Sequence, residues 1–472
     1  MGRLTPSPAN ENAVRDDTAL QEPVDAEASP TATVKRAVRA SRSSARHRRF
    51  ERFEMAERAE RAALSERVEP VVARSSAPEA RRYEVVFDED QIDPDVGKVV
   101  RRLVRHGHEA YLVGGCVRDL LLDRRPKDFD VATSARPEEI RELFRNSRII
   151  GRRFRLVHVL FQGGKVIEVA TFRRNPKDEA EEGAELLIRS DNVFGAAHED
   201  AVRRDFTMNA LFYDLEARQI LDWVGGMDDV RRTVVHTIGD PETRFREDPV
   251  RILRALKFAG RLGFAITPDV YDAIVYCREA LALAARPRLA EEILRLLRGG
   301  QARRTMYLAW ETGVLDVLLP ELAALLYDEG EDGAGQRFWR LLDHIDKRTA
   351  EDRLLDDTAL WTLLLLEPLR EACEGSRDRS AAAGEFLEPI IERLAVSRRY
   401  ADGMRRIVAL LPRLAAGRAG RFAKTDVFAS AVDVVTADLI ARGEPLAAIE
   451  RLRASIGGKR SKHDRRARPE EP

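Results

Sequence analysis

At 472 residues with 44% apolar side chains, the chain is long enough for about two to four domains with sizeable cores. No run approaches the roughly 20 apolar residues that cross a bilayer, and the opening residues lack the basic-then-apolar order of a secretory signal; a cytoplasmic protein with no membrane partner is expected. The three cysteines, Cys116, Cys277 and Cys373, stand far apart with no CxxC pair, which excludes a zinc knuckle or a disulfide framework as the organising principle. Formal charge sums to zero while 34% of residues are charged, so charge has to be read locally.

Residues 1–82 are rich in Ala, Arg, Ser, Glu and Pro with few large apolar side chains, a composition that predicts a basic, disordered extension. Within it, residues 48–68 carry good helix formers and opposite charges three and four apart, the pattern of a solvated helix. From about 83 to 240 short β-branched runs alternate with helical stretches. AYLVGG, DFDVAT, RLVHVLF and KVIEVATF read as strands and PEEIRELFR as a helix, together a mixed α/β domain. The stretch from Phe172 to Asn192 has no apolar period and predicts a mobile loop across the sheet edge. After about 240 strand signals stop, and amphipathic runs such as VRILRALKFAGRLGF, AEEILRLLRGG and TALWTLLLLEPLR predict an all-helical second half. Residues 457–472 form a basic, breaker-rich tail, predicted disordered. The fold class is therefore α+β, with disordered ends.

Five clusters carry chemistry. Gly114 and Gly115 follow the apolar run Tyr111, Leu112, Val113; at a strand-to-helix turn, glycines let backbone amides approach a triphosphate, and Arg118 would neutralise its charge. Alone, the same residues also suit a plain turn. Asp128 and Asp130 lie at the start of a strand, where residues i and i+2 point the same way, so the pair can clamp two divalent cations that activate an attacking hydroxyl and neutralise a leaving pyrophosphate. Magnesium, or manganese in its place, suits such hard oxygen ligands; Asp-x-Asp is also common in solvated turns. Glu168, inside the apolar run Val166, Ile167, Glu168, Val169, is either on an exposed edge or a third carboxylate turned towards the site. Arg203, Arg204 and Asp205, with Asp200, suit phosphate and ribose contacts or an ion-pair network at a helix end. In the run REDPVR, Pro249 suits a first helical position, which makes Asp248 the expected N-cap and sets Asp248 and Arg251 on one helix face. An acid accepts and a guanidinium donates, so the pair matches the Watson–Crick edge of adenine or cytosine and not that of guanine or uracil. Capping alone would also account for Asp248.

Taken in this order, GGCVRD, DFDVAT, EDAVRRDFTMNAL and REDPVRILRALKFAGRLGF resemble the class II nucleotidyltransferases of the polymerase-β superfamily, which include the bacterial poly(A) polymerases and the tRNA CCA-adding enzymes. The resemblance runs from about residue 95 to 300. It implies a polymerase-β-type head over residues 83–240, a helical neck at 241–300 that reads the base and binds RNA, and a helical body at 301–456. It implies further that Asp128 and Asp130 hold two magnesium ions, with Glu168 on the strand that supplies a third carboxylate. Gly114, Gly115 and Arg118 would meet the triphosphate, Arg203, Arg204 and Asp205 would form the nucleotide-binding motif, and Asp205 would be a further active-site acid. Glu247, Asp248 and Arg251 match the base-reading element, with Arg254 one turn on. The segment from Ile149 to Val159 resembles the signature that separates bacterial poly(A) polymerases from their CCA-adding relatives. The implied activity is template-independent addition of AMP from ATP to RNA 3′ ends, marking RNA for decay. The implied partners are RNA and RNA-decay proteins, and the implied state is a monomer. CCA addition to tRNA and a catalytically silent RNA-binding protein on the same fold are the alternatives. The carboxylates Asp128, Asp130 and Glu168 speak against the silent reading.

Overall fold

The computed structural model describes residues 78–151, 155–174, 193–326 and 333–454. The extension up to residue 77, the helix expected within it, most of the loop after Phe172 and the tail from 457 lie outside these residues.

Eight strands form one sheet in the order β1-β8-β7-β2-β3-β6-β5-β4. They are β1 (Arg81–Glu84), β2 (Ala110–Val113), β3 (Asp130–Thr133), β4 (Ser147–Ile150), β5 (Leu156–Leu160), β6 (Val166–Thr171), β7 (Phe212–Asp214) and β8 (Gln219–Asp222). Four of these are the strands legible in the sequence; β1, β4, β7 and β8 are added. β1 begins inside the stretch to residue 82 that composition assigned to the unfolded extension, and it is held by pairing with β8. Neighbours are antiparallel except β3 and β6, which run parallel. Alternation along β6 buries Ile167, Val169 and Thr171 and leaves Val166 and Glu168 exposed, as a pleated strand requires.

One face of the sheet, with Leu112, Val131, Val157 and Val169, packs into the main core. That core also takes the apolar stripe Val96, Val99, Val100 and Leu103 of α1 (Pro94–Arg105). On the other face the registers Val113↔Asp130, Asp130↔Glu168 and His158↔Glu168 set these residues in one row. Partners opposite in register share a face, so the row brings three titratable side chains to one side of the sheet.

Helices α2 (Gly115–Leu121), α3 (Pro137–Leu143), α4 (Ala197–Val202) and α5 (Gly226–Arg232) belong to the sheet half. The helical half begins with α6 (Pro241–Glu247) and α7 (Val250–Leu262), continues with α8 (Pro268–Cys277), α9 (Arg286–Arg298), α10 (Ala302–Glu311) and, later, α11 (Ala334–Ala350). Long helices at Arg379–Leu394, Arg398–Ala415 and Phe428–Arg442 complete it. Strand structure does not stop at 240 as expected: β9 (Val234–Val235) and β10 (Ala265–Ile266) pair in parallel across the start of the helical half. One hydrophobic cluster runs from Val96 to Leu452, so both halves share a core. All three cysteines are free and buried.

A buried ion pair fastens the halves where it matters for the site. Asp205, just after α4, accepts from Arg254 Nε of α7 at 2.6 Å. Its other oxygen accepts from the Phe206 amide at 2.9 Å and from Asn209 Nδ2 at 3.2 Å. Burial would raise this carboxyl, but Arg254 and Asn209 outweigh it and hold the group at about 2. The proton balance fixes the pH dependence. A carboxyl lowered on folding contributes stability that is full above its unfolded value of 3.8 and is lost as pH falls towards 2. Asp205→Asn is expected to cost about 2–3 kcal/mol at neutral pH, below the ~3–5 for a fully buried pair because Arg254 keeps part of its side chain in water. Urea denaturation of the two proteins measures this. An unchanged midpoint would remove Asp205 as the tie between the halves.

Candidate active site

A cavity of about 570 Å³ opens between the sheet and the start of the helical half, within the usual range for a nucleotide-sized ligand. Eight arginines and Lys127 line it against five aspartates. Such a surplus of fixed positive charge in a cleft selects polyanions.

Its floor is the carboxylate end of β3. Asp130 is the first residue of that strand, and Asp128 precedes it on the exposed approach, so the strand starts later than the sequence predicts. Both line the cavity. The Asp130 carboxyl is pushed up to about 6, by desolvation first and then by the Glu168 carboxylate, with Arg204 opposing. Crowded anions of this kind are relieved by a cation, and the oxygen donors fit a hard divalent ion. Glu168 stands abreast of Asp130 in register but is outside the cavity lining, and its carboxylate meets His158 Nε2 at 3.2 Å. Among the described residues no three His, Cys, Asp or Glu side chains converge as a metal cage. The donor set fits an aspartate pair open to substrate oxygens, not a closed protein site.

The glycine turn is built as a close approach. Gly114 has φ +77°, and a Cβ there would stand 3.2 Å from Arg204 Nη1 and 3.9 Å from Asp130 Oδ2; a side chain would both strain the backbone and fill this gap. Gly114 and Gly115 line the cavity. Arg118 differs from expectation. Only 3% exposed, it donates to Asp119 at 2.6 Å and 3.0 Å and to Asn209 Oδ1 at 2.6 Å, so its charge is already countered at the wall.

Arg203 and Arg204 are oriented by buried Asp200, at 3.2 Å and 2.8 Å. Burial would raise the Asp200 carboxyl, yet Arg204 and Arg203 beside it hold it below the ordinary carboxylate range. Arg204 also donates to the Asn209 carbonyl at 3.3 Å and lies over the Phe212 ring at 5.0 Å. Both arginines keep roughly a quarter of the side chain exposed towards the cavity (24% and 22%).

The base-reading element is arranged differently from the sequence reading. Asp248 is not the N-cap of α7. It closes α6 as its C-cap in extended backbone (φ −146°), and Pro249 takes the N-cap position. The Arg251 amide donates to the Asp248 carbonyl at 3.0 Å, but their side chains have other partners. Arg288 of α9 donates to both oxygens of Asp248 at 3.0 Å and 2.9 Å, while Arg251 Nη1 donates to Glu247 at 3.1 Å and to the Arg244 carbonyl at 3.0 Å. Asp248 and Arg251 nonetheless both face the cavity, as does Arg254. Glu247 does not. It is 6% exposed and sits behind the wall, gripping Arg244 at 2.9 Å and Arg251.

Several lining residues escaped sequence reasoning, among them Arg244, Arg261 and Arg288. Arg244 donates to the carbonyls of Arg203, at 2.8 Å, and of Arg204, tying α6 to the arginine cluster. Burial, then Arg251, lowers its guanidinium to about 10, and its Nε has no acceptor among the described residues. Arg244 and Glu247 stand three apart on α6, a spacing that pairs side chains on a helix face and could have found it. Nothing local marks Arg288, 40 residues from Asp248.

Residues 110–236 match the family described as the poly(A) polymerase head domain, and residues 263–326 match one described as a probable RNA- and SrmB-binding site of polymerase A. Poly(A) polymerase I of Escherichia coli O6:H1 is 36% identical over 81% of this chain and 86% of its own length. A CCA-adding enzyme of a Geobacillus species is 40% identical over 53% of this chain and 60% of its own. The crystal structure of the Bacillus stearothermophilus CCA-adding enzyme with CTP superposes with a TM-score of 0.58 at 30% identity, covering 78% of this chain and 83% of that one. With sequence identity at that level across most of both chains, and a nucleotide-sized cavity walled by the motifs themselves, the chain belongs to the poly(A) polymerase family of nucleotidyltransferases.

Proposed function

We propose that this protein transfers AMP from ATP to RNA 3′ ends, template-independently and with release of pyrophosphate. The observation that carries the reaction type is the single cavity shared by Asp128, Asp130, Gly114, Arg204, Asp248 and Arg251. The preference for poly(A) over CCA addition rests on likeness to poly(A) polymerase I across 81% of the chain, against 53% for the CCA-adding enzyme. The β4–β5 hairpin holds the segment from Ile149 to Val159, whose residues 152–154 lie outside the described residues. On this reading residues 83–240 are the catalytic head, 241–300 the neck and 301–456 the body.

Each side chain then has a physical task. Arg203 and Arg204, fixed by Asp200, hold triphosphate oxygens, and the bare Cα of Gly114 leaves room for them beside Asp130. Arg118 shapes the wall and holds Asn209 rather than taking a phosphate. Asp248 accepts from an exocyclic amino group while Arg251, whose remaining nitrogens have no acceptor among the described residues, donates to the ring nitrogen; Glu247 positions Arg251. Asp205, held near 2, stays ionised at working pH and positions Arg254, so it neither gives nor takes a proton. Asp128 and Asp130 are the donors for the divalent cations, magnesium or manganese, with Glu168 reaching the site only by leaving His158. Two ions bound there would lower the pKa of the RNA 3′-hydroxyl and neutralise the leaving pyrophosphate.

Incubation with a generic RNA and one nucleotide at a time tests the activity: ATP alone should give long ladders and CTP alone little product. Short C-C-A additions confined to trimmed tRNA would overturn it. Asp128→Ala and Asp130→Ala should each lower the addition rate by about a thousandfold or more, the loss of several kcal/mol of charge stabilisation, with RNA affinity largely kept; surviving activity would remove the metal assignment. Asp130 must lose its proton to hold a cation, so the magnesium concentration for half-maximal activity should fall as pH rises through about 6. A requirement independent of pH across that range would contradict the role given to Asp130.

A further inference from the structure

The cavity explains where ATP sits but not what grips the RNA strand behind its 3′ end. Exposed cations gather on one rim. The loop leading into Asp128 carries Arg124, Arg125 and Lys127, all exposed. Arg124 Nη2 donates to the Leu262 carbonyl at the end of α7, at 3.4 Å. Arg304 of α10 reaches the same place, its Nη1 3.5 Å from where a Cβ of Gly263 would stand. Arg261, in the last turn of α7, lines the cavity beside them and comes only within 4.0 Å of Asp119. The acid nearest in sequence, Asp123, accepts from Gln91 instead.

A helix C-terminus attracts cations by itself, which accounts for Arg124. It does not account for Arg125, Lys127 or Arg304, which make no ion pair among the described residues. One helical turn beyond Arg304, Tyr307 is 46% exposed and borders Trp310 at 5.8 Å and Trp339 of α11 at 6.1 Å, ring centre to ring centre. Next to it, Arg303 is engaged with Asp343. Exposed cations that continue into an exposed aromatic ring, here Tyr307 with Trp310 and Trp339 half-buried behind it, are a combination that holds single-stranded nucleic acid: charge follows the phosphates while the ring face takes a base.

Building on the activity proposed above, we infer that the rim formed by Arg124, Arg125 and Arg304, continued by Tyr307 on α10, is the track for the single-stranded RNA segment just upstream of the reacting 3′ end. The track joins a loop of the head to a helix of the other half and ends beside Asp128, which delivers the terminal hydroxyl to the carboxylate floor. Recognition by phosphate charge and stacking is sequence-tolerant, as an enzyme extending its own homopolymer product requires.

The test uses the full chain and fluorescein-labelled oligo(A), read by anisotropy over a range of salt, alongside steady-state kinetics. The double variant Arg125→Ala/Arg304→Ala should bind oligo(A) roughly tenfold more weakly, with a salt slope shallower by about 0.7 for each phosphate contact removed. Its KM for ATP with a dinucleotide primer, too short to reach the track, should stay unchanged. Tyr307→Ala should weaken binding at least about fivefold at every salt concentration, whereas Tyr307→Phe should retain it. Wild-type affinity and salt slope in the double variant would overturn the inference and leave the rim to a protein partner; so would an equal loss with the dinucleotide primer, which would mark a disturbed cavity. Anisotropy does not depend on turnover, so absence of AMP addition would sink the proposed activity while leaving this result readable.

Discussion

Everything in the site depends on acids that stand behind arginines. A cluster of guanidinium groups repels itself, and in a cavity lined by eight of them carboxylates hold seven in place. Asp200 sets Arg203 and Arg204, Glu247 sets Arg244 and Arg251, Asp205 sets Arg254, Asp248 sets Arg288, and Asp119 sets Arg118. Charged hydrogen bonds of this kind are short and directional, so the positive field is preorganised rather than assembled when substrate arrives, and little reorganisation remains for the reaction.

This arrangement sorts residues that look alike in sequence. Asp130 and Asp205 are both acids of the motif runs, yet their surroundings push them in opposite directions. Asp130, beside Glu168, is raised to about 6, while Asp205, against Arg254, is lowered to about 2. The first is an anion short of a cation; the second is an anion already satisfied. On the proposed reading only the first has chemistry left to do, which assigns the metal to the β3 end and Asp205 to the seam between the halves.

The α+β class, the alternation of β5 and β6 and the amphipathic stripes of α7 and α9 were legible because each depends on neighbours two to four residues away. The glycine turn, the aspartate pair and the arginine cluster were legible for the same reason. Partners brought from far away were not: Arg288 reaches Asp248 from another helix, and His158 meets Glu168 across a strand pair. The capping error at Asp248 has a local cause. Proline forces extended backbone on the residue before it, which an N-cap and a helix end share, and the seven-residue α6 immediately upstream was too short for a period to declare itself. β7 and β8, at three and four residues, were missed for want of length. They are strands because β2 and β1 lie on either side to pair with them.

The central claim is that the sheet supplies the cation-binding carboxylates while the helix pair α6 and α7 supplies the base edge, within one cavity. Anomalous scattering from crystals grown with manganese and a non-hydrolysable ATP analogue tests it in a single experiment. The account predicts manganese peaks between the Asp128 and Asp130 carboxylates and the triphosphate, with the adenine edge against Asp248 and Arg251. Manganese bound away from that pair, or adenine seated outside the cavity, would contradict it.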